Sequence, residues 1–357
     1  MHSAMRVLAL TAIGAAAFVP AAHAQDMTTY SFAGTTLYIG GGFQYLTLPD
    51  IKFTGQGKVN DAGDITDFHH QKNSDFSEYG GGAGAGIETA LGFWGGYRVT
   101  GGVKGFWTNV DNNDRQTCRR ADCIIVDPTG ETFGFGPPDL VNRTSRDVDY
   151  WGGSGEFKFG RPEPVYEKPN FYRNDYFIVG ADVRGIDQDI KIHGNFDGDP
   201  IFTYKETLDT TYYGGYIGFG GEYSFGFIPG VKNVGGLYDR LGLRTFINAR
   251  AGLYSAQTDY DGRFAFDFFD FNSKISKSND NLAFIGTISL ETRKQLGART
   301  SLSLWTDYEY ISSVPELQYA KYGGTTHIGE DDAFATRTML RLNIGLGSQQ
   351  LYPEPMK

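Results

Sequence analysis

Apolar and polar residues alternate with a period of two along most of this 357-residue chain, from Thr36 onward. Successive side chains of a strand point to opposite faces, so this alternation predicts β-strands that each have one apolar face. In the run YYGGYIGFGGEYSFGF (212–227), Tyr213, Ile217 and Phe219 fall on one face, and three glycines and Glu222 fall on the other. Ten such runs follow one another. The chain is therefore predicted to be all-β.

The connections between the predicted strands differ in length. Short ones are expected at 91–96 and 295–299, and somewhat longer ones at 161–174 and 226–240. Between them, long polar loops are expected at 49–76, 111–147, 187–209, 258–280 and 312–332. Turns would therefore gather at one end of the structure and large loops at the other.

The charged residues of these runs all lie on the polar face, and the apolar face has none. A soluble sandwich would turn its charges to water and bury its apolar face between two sheets. A membrane barrel would turn its apolar face to lipid and its charges inward. Alternation by itself is compatible with both arrangements, because each has one apolar and one polar face.

The N-terminus favours the membrane barrel. A positively charged start, a short apolar stretch and the sequence Ala22-His23-Ala24 are typical of a secretory signal peptide, so residues 1–24 are expected to be removed on export. The mature chain, 25–357, is predicted to be a single domain. It has no apolar run of the roughly 20 residues that a membrane-spanning helix needs.

Aromatic residues support the same interpretation. They make up 15% of the chain, and many outward positions near strand ends are aromatic. Aromatic girdles of this kind mark both interfaces of a membrane barrel. The predicted girdle residues are Tyr45, Tyr79, Tyr97, Trp107, Trp151, Phe159, Phe177, Tyr213, Phe225, Tyr310 and Phe334.

With this combination of features, the chain resembles the outer-membrane β-barrel superfamily of Gram-negative bacteria over nearly all of its mature length. The resemblance implies a transmembrane antiparallel up-and-down β-barrel with short periplasmic turns and long extracellular loops. Ten strands are the simplest count, with eight or twelve as alternatives. It also implies a place in the outer membrane, contact with its lipid and lipopolysaccharide, and insertion by the barrel-assembly machinery. The chain departs from the superfamily at its end, where GSQQLYPEPMK follows the last strand instead of a terminal aromatic residue.

Charge and cysteine content narrow the partners. The formal net charge is −10 without any basic cluster, which argues against nucleic acid as a partner. The two cysteines, Cys118 and Cys123, are close in sequence, and in an exported chain they are expected to form a disulfide rather than a metal site. No cofactor is indicated. Small outward residues at Gly81, Ala83 and Ala85 could provide a contact between copies in a homo-oligomer.

The predicted lumen gives the first functional hypothesis: a structural barrel, or a narrow porin-like pore for ions or small solutes. Inward glycines could open a passage or give long side chains room to cross the lumen, and inward arginines would bias a pore toward anions. The residues predicted to line the lumen are Arg98, Lys104, Glu156, Lys158, Asp182, Arg184, Glu222, Arg244, Arg250, Glu291, Arg293, Asp307, Glu309, Arg337 and Arg341.

Two alternatives involve the predicted loops. They could form an adhesin or receptor surface, and the aromatic segment FAFDFFDF (264–271) would then either contact a partner or fold back over the barrel mouth. A hydrolase would need a base and a carboxylate assembled from loop residues such as His69 or His193. The spacing gives little support for such a site, and the chain is not expected to be an enzyme.

Overall fold

The structure is a computed structural model that describes thirteen stretches of the chain. These are residues 30–31, 34–59, 65–71, 74–118, 123–127, 129–135, 140–161, 165–168, 171–224, 243–267, 271–319, 326–346 and 350–351. The predicted signal peptide, 1–24, lies outside them and stays a prediction. No helix among these residues is long and apolar enough to cross a membrane.

Ten long antiparallel strands close into a ring. They are β1 (Thr35–Ile51), β2 (Ser74–Trp94), β3 (Tyr97–Cys118), β4 (Leu140–Gly160), β5 (Phe171–Phe196), β6 (Asp199–Ser224), β7 (Leu243–Phe266), β8 (Phe271–Gln295), β9 (Thr300–Gln318) and β10 (His327–Leu346). Each strand pairs with the next in sequence, and β10 pairs with β1. The predicted all-β ring of antiparallel neighbours is confirmed.

Shorter strands lie at the two ends of the ring. At the end where β1 begins, Tyr30–Ser31 pairs with Gln350–Leu351, and Val165–Lys168 pairs with the start of β5. At the opposite end, the connections after β1 and β3 form a separate four-stranded sheet. Its strands are Thr54–Val59, Ile65–Gln71, Cys123–Val126 and Thr132–Phe135.

The predicted apolar face is on the outside of the ring. Phe219 is 71% exposed and Ile217 is 59% exposed, whereas Tyr216, the residue before Ile217, is buried inside. On β3, exposed Tyr97 and Trp107 lie ten residues apart, which at about 3.3 Å per residue and a tilt of about 40° separates them by roughly 25 Å across the wall. That height equals the apolar band of a membrane barrel.

Tyr223 is an exception to this pattern. It continues the outward alternation of Tyr213, Ile217 and Phe219 at the end of β6, but only 5% of it is exposed. Its hydroxyl donates a hydrogen bond to Asp175 Oδ1 at 3.0 Å. At this position the outward face of β6 is therefore covered.

Tight turns end two of the hairpins. Gly95 and Gly96 join β2 to β3 with φ of 58° and 84°, and Asp197 and Gly198 join β5 to β6 with φ of 51° and 95°. Two consecutive residues with positive φ are what a type I′ hairpin turn requires. These turns lie at opposite ends of the ring, because β2 and β5 run in opposite directions through it.

The prediction of a long loop is wrong for three of the five segments, because they are largely strand. Most of 187–209 belongs to β5 and β6, most of 258–280 to β7 and β8, and 312–332 contains the ends of β9 and β10. The alternation continues through these segments, but with the opposite sense: Ile186, Ile190 and Ile192 point inward and are buried, while charged residues point outward. Outward charges hid the strand pattern, because the prediction required an apolar exterior.

The barrel therefore has two halves of opposite polarity. Around the aromatic positions the exterior is apolar and the interior is charged. Beyond Trp107 and Tyr213, in what we call the upper half, the exterior is polar and the interior is a hydrophobic core. That core includes Phe53, Ile192, Phe202, Tyr204, Leu208, Phe264 and Tyr319.

The wall of the upper half is not continuous. Registered pairing ends at Gly81 and Asn109 between β2 and β3, and at Ile285 and Ile311 between β8 and β9. From there β3 to β8 continue as one sheet, called here the six-strand leaf. The extensions of β1 and β2 form one arm beside it, and those of β9 and β10 form another. Phe53, which follows β1 at the end of the first arm, stacks on Tyr204 of the leaf with ring centroids 4.7 Å apart.

Candidate functional site

The charged interior of the lower half is built around Glu156 on β4. Its carboxylate lies 3.1 Å from Lys104 Nζ, 3.1 Å from Arg250 Nη2 and 3.5 Å from Lys158 Nζ. The hydroxyl of Tyr216 also donates to it, at 3.0 Å. These groups come from β3, β4, β6 and β7, so this one carboxylate connects strands from different parts of the ring.

A second cluster crosses the interior from β5 to β9. Arg184 forms an ion pair with Asp182 at 2.7 Å and another with Glu309. Glu309 also accepts hydrogen bonds from Tyr150 and, at 3.3 Å, from Thr287. Arg184 and Glu309 are 125 positions apart in sequence, so their contact closes the space between distant parts of the wall.

Two arginines of β10 fill the remaining width with their flat guanidinium groups. The Arg337 guanidinium lies 3.4 Å from the ring centroid of Phe106, and the Arg341 guanidinium lies 3.6 Å from that of Trp305. Arg337 also pairs with Asp307 at 3.3 Å. Arginine stacks well on aromatic faces because its guanidinium is planar and weakly hydrated.

The inward glycines give these side chains their room. A Cβ on Gly40 would lie 2.7 Å from Arg341 Cγ, one on Gly218 would lie 3.0 Å from Arg250 Cγ, and one on Gly86 would lie 2.4 Å from the Tyr38 hydroxyl. Of the two roles predicted for these glycines, the geometry favours space for long side chains over an open passage.

The remaining predicted residues lie toward the end where β1 begins. Glu291 and Arg293 on β8 form an ion pair at 2.8 Å. Arg98, Glu222 and Arg244 are half-buried there. All fifteen predicted residues are therefore buried or half-buried, and the structure brings eleven of them into ion pairs given above.

The space left between these groups is small. A cavity of about 40 Å³ lies among Lys104, Arg184, Arg250, Asp307 and Arg337. A water molecule needs roughly 10–15 Å³, so the cavity has room for about three waters.

Sequence reasoning missed a buried carboxylate in the upper half, because its segment was predicted to be a loop. Glu206 on β6 is 3% exposed and accepts hydrogen bonds from Tyr204 at 2.5 Å and from Tyr319 at 2.9 Å. Tyr260 contacts the Tyr204 hydroxyl at 2.5 Å. Burial raises the pKa of Glu206 to about 7, and the tyrosine hydrogen bonds and Arg146 partly oppose that shift.

Arg146 on β4 is a cation whose charge lowers the pKa of Glu206. It donates to the carbonyl oxygen of Pro49 at 2.8 Å and to the Gln188 side chain, and it lies over the ring of Phe76. Burial lowers the pKa of Arg146 to about 10. Pro49 and Phe76 belong to the β1–β2 arm, so Arg146 joins that arm to the leaf.

The aromatic segment 264–271 is the tip of the β7–β8 hairpin. Phe264 is fully buried, and the ring of Phe133 lies 5.8 Å from Phe264, 5.0 Å from Phe266 and 5.3 Å from Phe271. Phe133 belongs to the four-stranded sheet after β3. The described aromatic residues of the segment therefore pack against the connection after β3, in agreement with the second of the two predicted roles, and residues 268–270 lie outside the described stretches.

The two histidines named as loop candidates lie on different sheets. His193 lies on the outer face of β5, where its Nδ1 contacts the Thr203 hydroxyl at 3.2 Å, and His69 is exposed on Ile65–Gln71. Cys123 is buried in the four-stranded sheet. The Cys118 side chain lies outside the described residues, so the disulfide stays a prediction.

A closed antiparallel ring with an apolar exterior, two aromatic levels and a charged interior is the architecture of the outer-membrane β-barrel proteins, which this chain resembles. Among solved structures it is similar to the outer-membrane protease OmpT of Escherichia coli, with a TM-score of 0.48 at 8% identity, over 90% of this chain and 99% of that one. It is also similar to a FadL homologue of Pseudomonas aeruginosa, with a TM-score of 0.28 at 8% identity, over 87% and 90% of the two chains. No protein-family model and no curated protein matches the chain. Likeness at this level carries no argument about activity, which has to come from the interior and the surface of this chain.

Proposed function

We propose that this protein is a non-conducting outer-membrane β-barrel that holds its upper half outside the cell as a rigid structural surface. The apolar exterior would face lipid, the Gly95–Gly96 turn would face the periplasm, and the upper half would extend beyond lipopolysaccharide headgroups. Residues 1–24 would be removed on export, and Cys118 and Cys123 would be joined in the oxidising compartment.

The observation that carries the proposal is the filled interior of the lower half. Three clusters, centred on Glu156, Glu309 and Arg337, cross the interior of the ring, and the cavity among them has a volume of about 40 Å³. Ten-stranded rings are close to the size at which side chains fill a barrel, whereas water channels come with about 16 to 18 strands. A buried and paired set of charges also resists separation, because breaking one pair leaves its partner unsatisfied.

Planar-bilayer recording of the purified protein tests this proposal. We expect no discrete conductance steps from the protein, while a known porin in the same bilayers provides the positive control. Regular steps of one size would overturn the non-conducting proposal and support the narrow pore. An anion preference in such steps would assign them to the inward arginines.

The upper half supports a second role, as a binding surface. The six-strand leaf extends β5 and β6 to a tight turn, with charged side chains on its outer face and a hydrophobic core behind it. Rigid elements hold surface groups more accurately than loops do. We propose this role in place of a catalytic one, since His193 and His69 lie apart from the buried Glu206 cluster.

A further inference from the structure

The outer face of the six-strand leaf carries basic residues in lateral rows. In one row Lys191 pairs with Lys205, Lys205 with Arg263, and Arg263 with Lys274, so four neighbouring strands present four cations side by side. All four side chains are exposed.

The next row, farther from the aromatic level, continues the pattern on the other side of the leaf. There Arg115 of β3 pairs with Arg143 of β4, and Arg143 pairs with His193 of β5. These three side chains are exposed too. We call the two rows together the basic band, which consists of Arg115, Arg143, Lys191, His193, Lys205, Arg263 and Lys274.

An acidic band lies between the basic band and the aromatic level. In its lower row Asp149 pairs with Asp187, Asp187 with Asp209, and Asp209 with Asp259. Asp111, Asp147, Asp189 and Asp261 lie in the row above. The outer face is thus sorted by the sign of its charges, although the chain as a whole carries −10.

Like charges directly opposite each other on a sheet are destabilising. Within the described part of the chain, the ion pair of the basic band joins Lys274 to Asp261 at 4.0 Å, and both side chains are more than half exposed. Exposed pairs of this kind contribute little. The row Lys191 to Lys274 therefore concentrates positive charge on the outer face, and an anionic ligand would offset the repulsion within it.

We propose that the basic band binds a linear acidic polysaccharide, carrying sulfate or carboxylate groups, that lies across the strands of the leaf. Three strand spacings of about 4.8 Å separate Lys191 from Lys274, so the row offers cations along roughly 14 Å. A regular row of exposed cations fits a polymer that repeats its anionic groups. The inference rests on the proposed function, in which this face lies outside the cell.

The distance of the basic band from the aromatic level favours a polymer over membrane headgroups as its ligand. Lys191 is six residues beyond Gly185, which pairs with Trp151 at the aromatic level, so the band lies about 15 Å farther out for strands tilted by about 40°. The acidic band occupies the intervening level, where headgroup phosphates would lie. Carboxylates there repel anions and restrict a polyanion to the rows above.

Binding of heparin to the full-length protein in neutral detergent tests the proposal. We expect saturable binding that weakens steeply as NaCl is raised from about 50 to 200 mM, since polyanion binding by Lys and Arg releases counterions. Dextran sulfate should displace heparin, and neutral dextran should not. The double variant Lys205→Glu, Arg263→Glu should weaken binding by about tenfold or more, because it reverses two adjacent cations of one row.

The matched control is Lys294→Glu, Arg299→Glu, which makes the same charge change at the opposite end of the ring, where both side chains are exposed. It should bind heparin within about twofold of the unmodified protein if location matters more than net charge. Failure of the unmodified protein to bind, or equal loss in both double variants, would overturn the proposal. Such failure is distinct from failure of the proposed function, which would appear as conductance steps.

Discussion

Gly80 and Gly81 are sequence neighbours on β2, and they face opposite sides of the wall. A Cβ on Gly80 would lie 2.0 Å from the backbone oxygen of Asn109, whereas a Cβ on Gly81 would meet nothing within 4 Å. Backbone cannot move aside as a flexible side chain can. The same residue type is thus required at one position and free to change at the next.

We expect Gly80→Ala to destabilise the barrel by about 1–3 kcal/mol, because the added methyl forces the β2–β3 pairing apart. Gly81→Ala is the control and should leave stability unchanged or raise it by roughly 0.5 kcal/mol through the unfolded chain. Thermal melting followed by circular dichroism measures both. Equal melting temperatures for the two variants would contradict the close approach at Gly80.

At the scale of elements, Glu206 joins the leaf to the β9–β10 arm. Glu206 is on β6, and Tyr319, which donates to it, directly follows β9. Pairing between β8 and β9 has ended well below this point, at Ile285 and Ile311. The side-chain contact therefore joins two elements that are no longer connected by hydrogen bonds between β8 and β9.

The stability of this junction should depend on pH. The pKa of Glu206 is raised from 4.5 to about 7 on folding, so the folded chain binds the proton more tightly than the unfolded chain does. This contribution is complete below about pH 4.5 and is lost as the pH rises through 7, amounting to roughly 3 kcal/mol.

Melting temperatures of the unmodified protein and Glu206→Gln between pH 5 and pH 8 test this expectation. The unmodified protein should lose stability over that range, and the Gln variant should lose less, because its side chain stays neutral. Tyr319→Phe keeps the ring and removes one donor to Glu206, so its melting temperature should remain dependent on pH. Identical pH profiles for the unmodified protein and Glu206→Gln would refute a role for this carboxyl.

On the scale of the whole molecule, the polarity of the exterior reverses between the two halves, so each half requires a different environment. The lower half has apolar residues outside and charges inside, and the upper half has the opposite. Exposed apolar side chains such as Phe219 and Leu282 would be a liability in water, where patches of this kind associate. The upper half needs water on the outside for the same reason that the lower half needs lipid.

An epitope inserted between Asp197 and Gly198 tests the proposed orientation, because this turn ends the longest hairpin of the upper half. We expect antibody to stain intact cells that express it. The matched insertion at Gly297, in the β8–β9 turn at the other end, should stain only after the outer membrane is permeabilised. The reverse result would place the leaf in the periplasm, away from any external polysaccharide.

The sequence by itself determined the strands of the lower half, their outward face and the identity of the charges inside. Alternation is a local property, and it persists whatever the strand pairs with. It failed for 187–209 and 258–280, where the exterior becomes polar and the same alternation changes its sense.

Only the tertiary structure decided which charges meet and how much space remains between them. Arg184 and Glu309 pair across 125 positions because the register of every intervening strand sets their heights in the ring. The filled interior, the Glu206 junction and the sorted charges of the leaf each depend on the registers of several strands. Local pattern cannot supply them, because a shift of one residue in any strand would exchange its inner and outer faces.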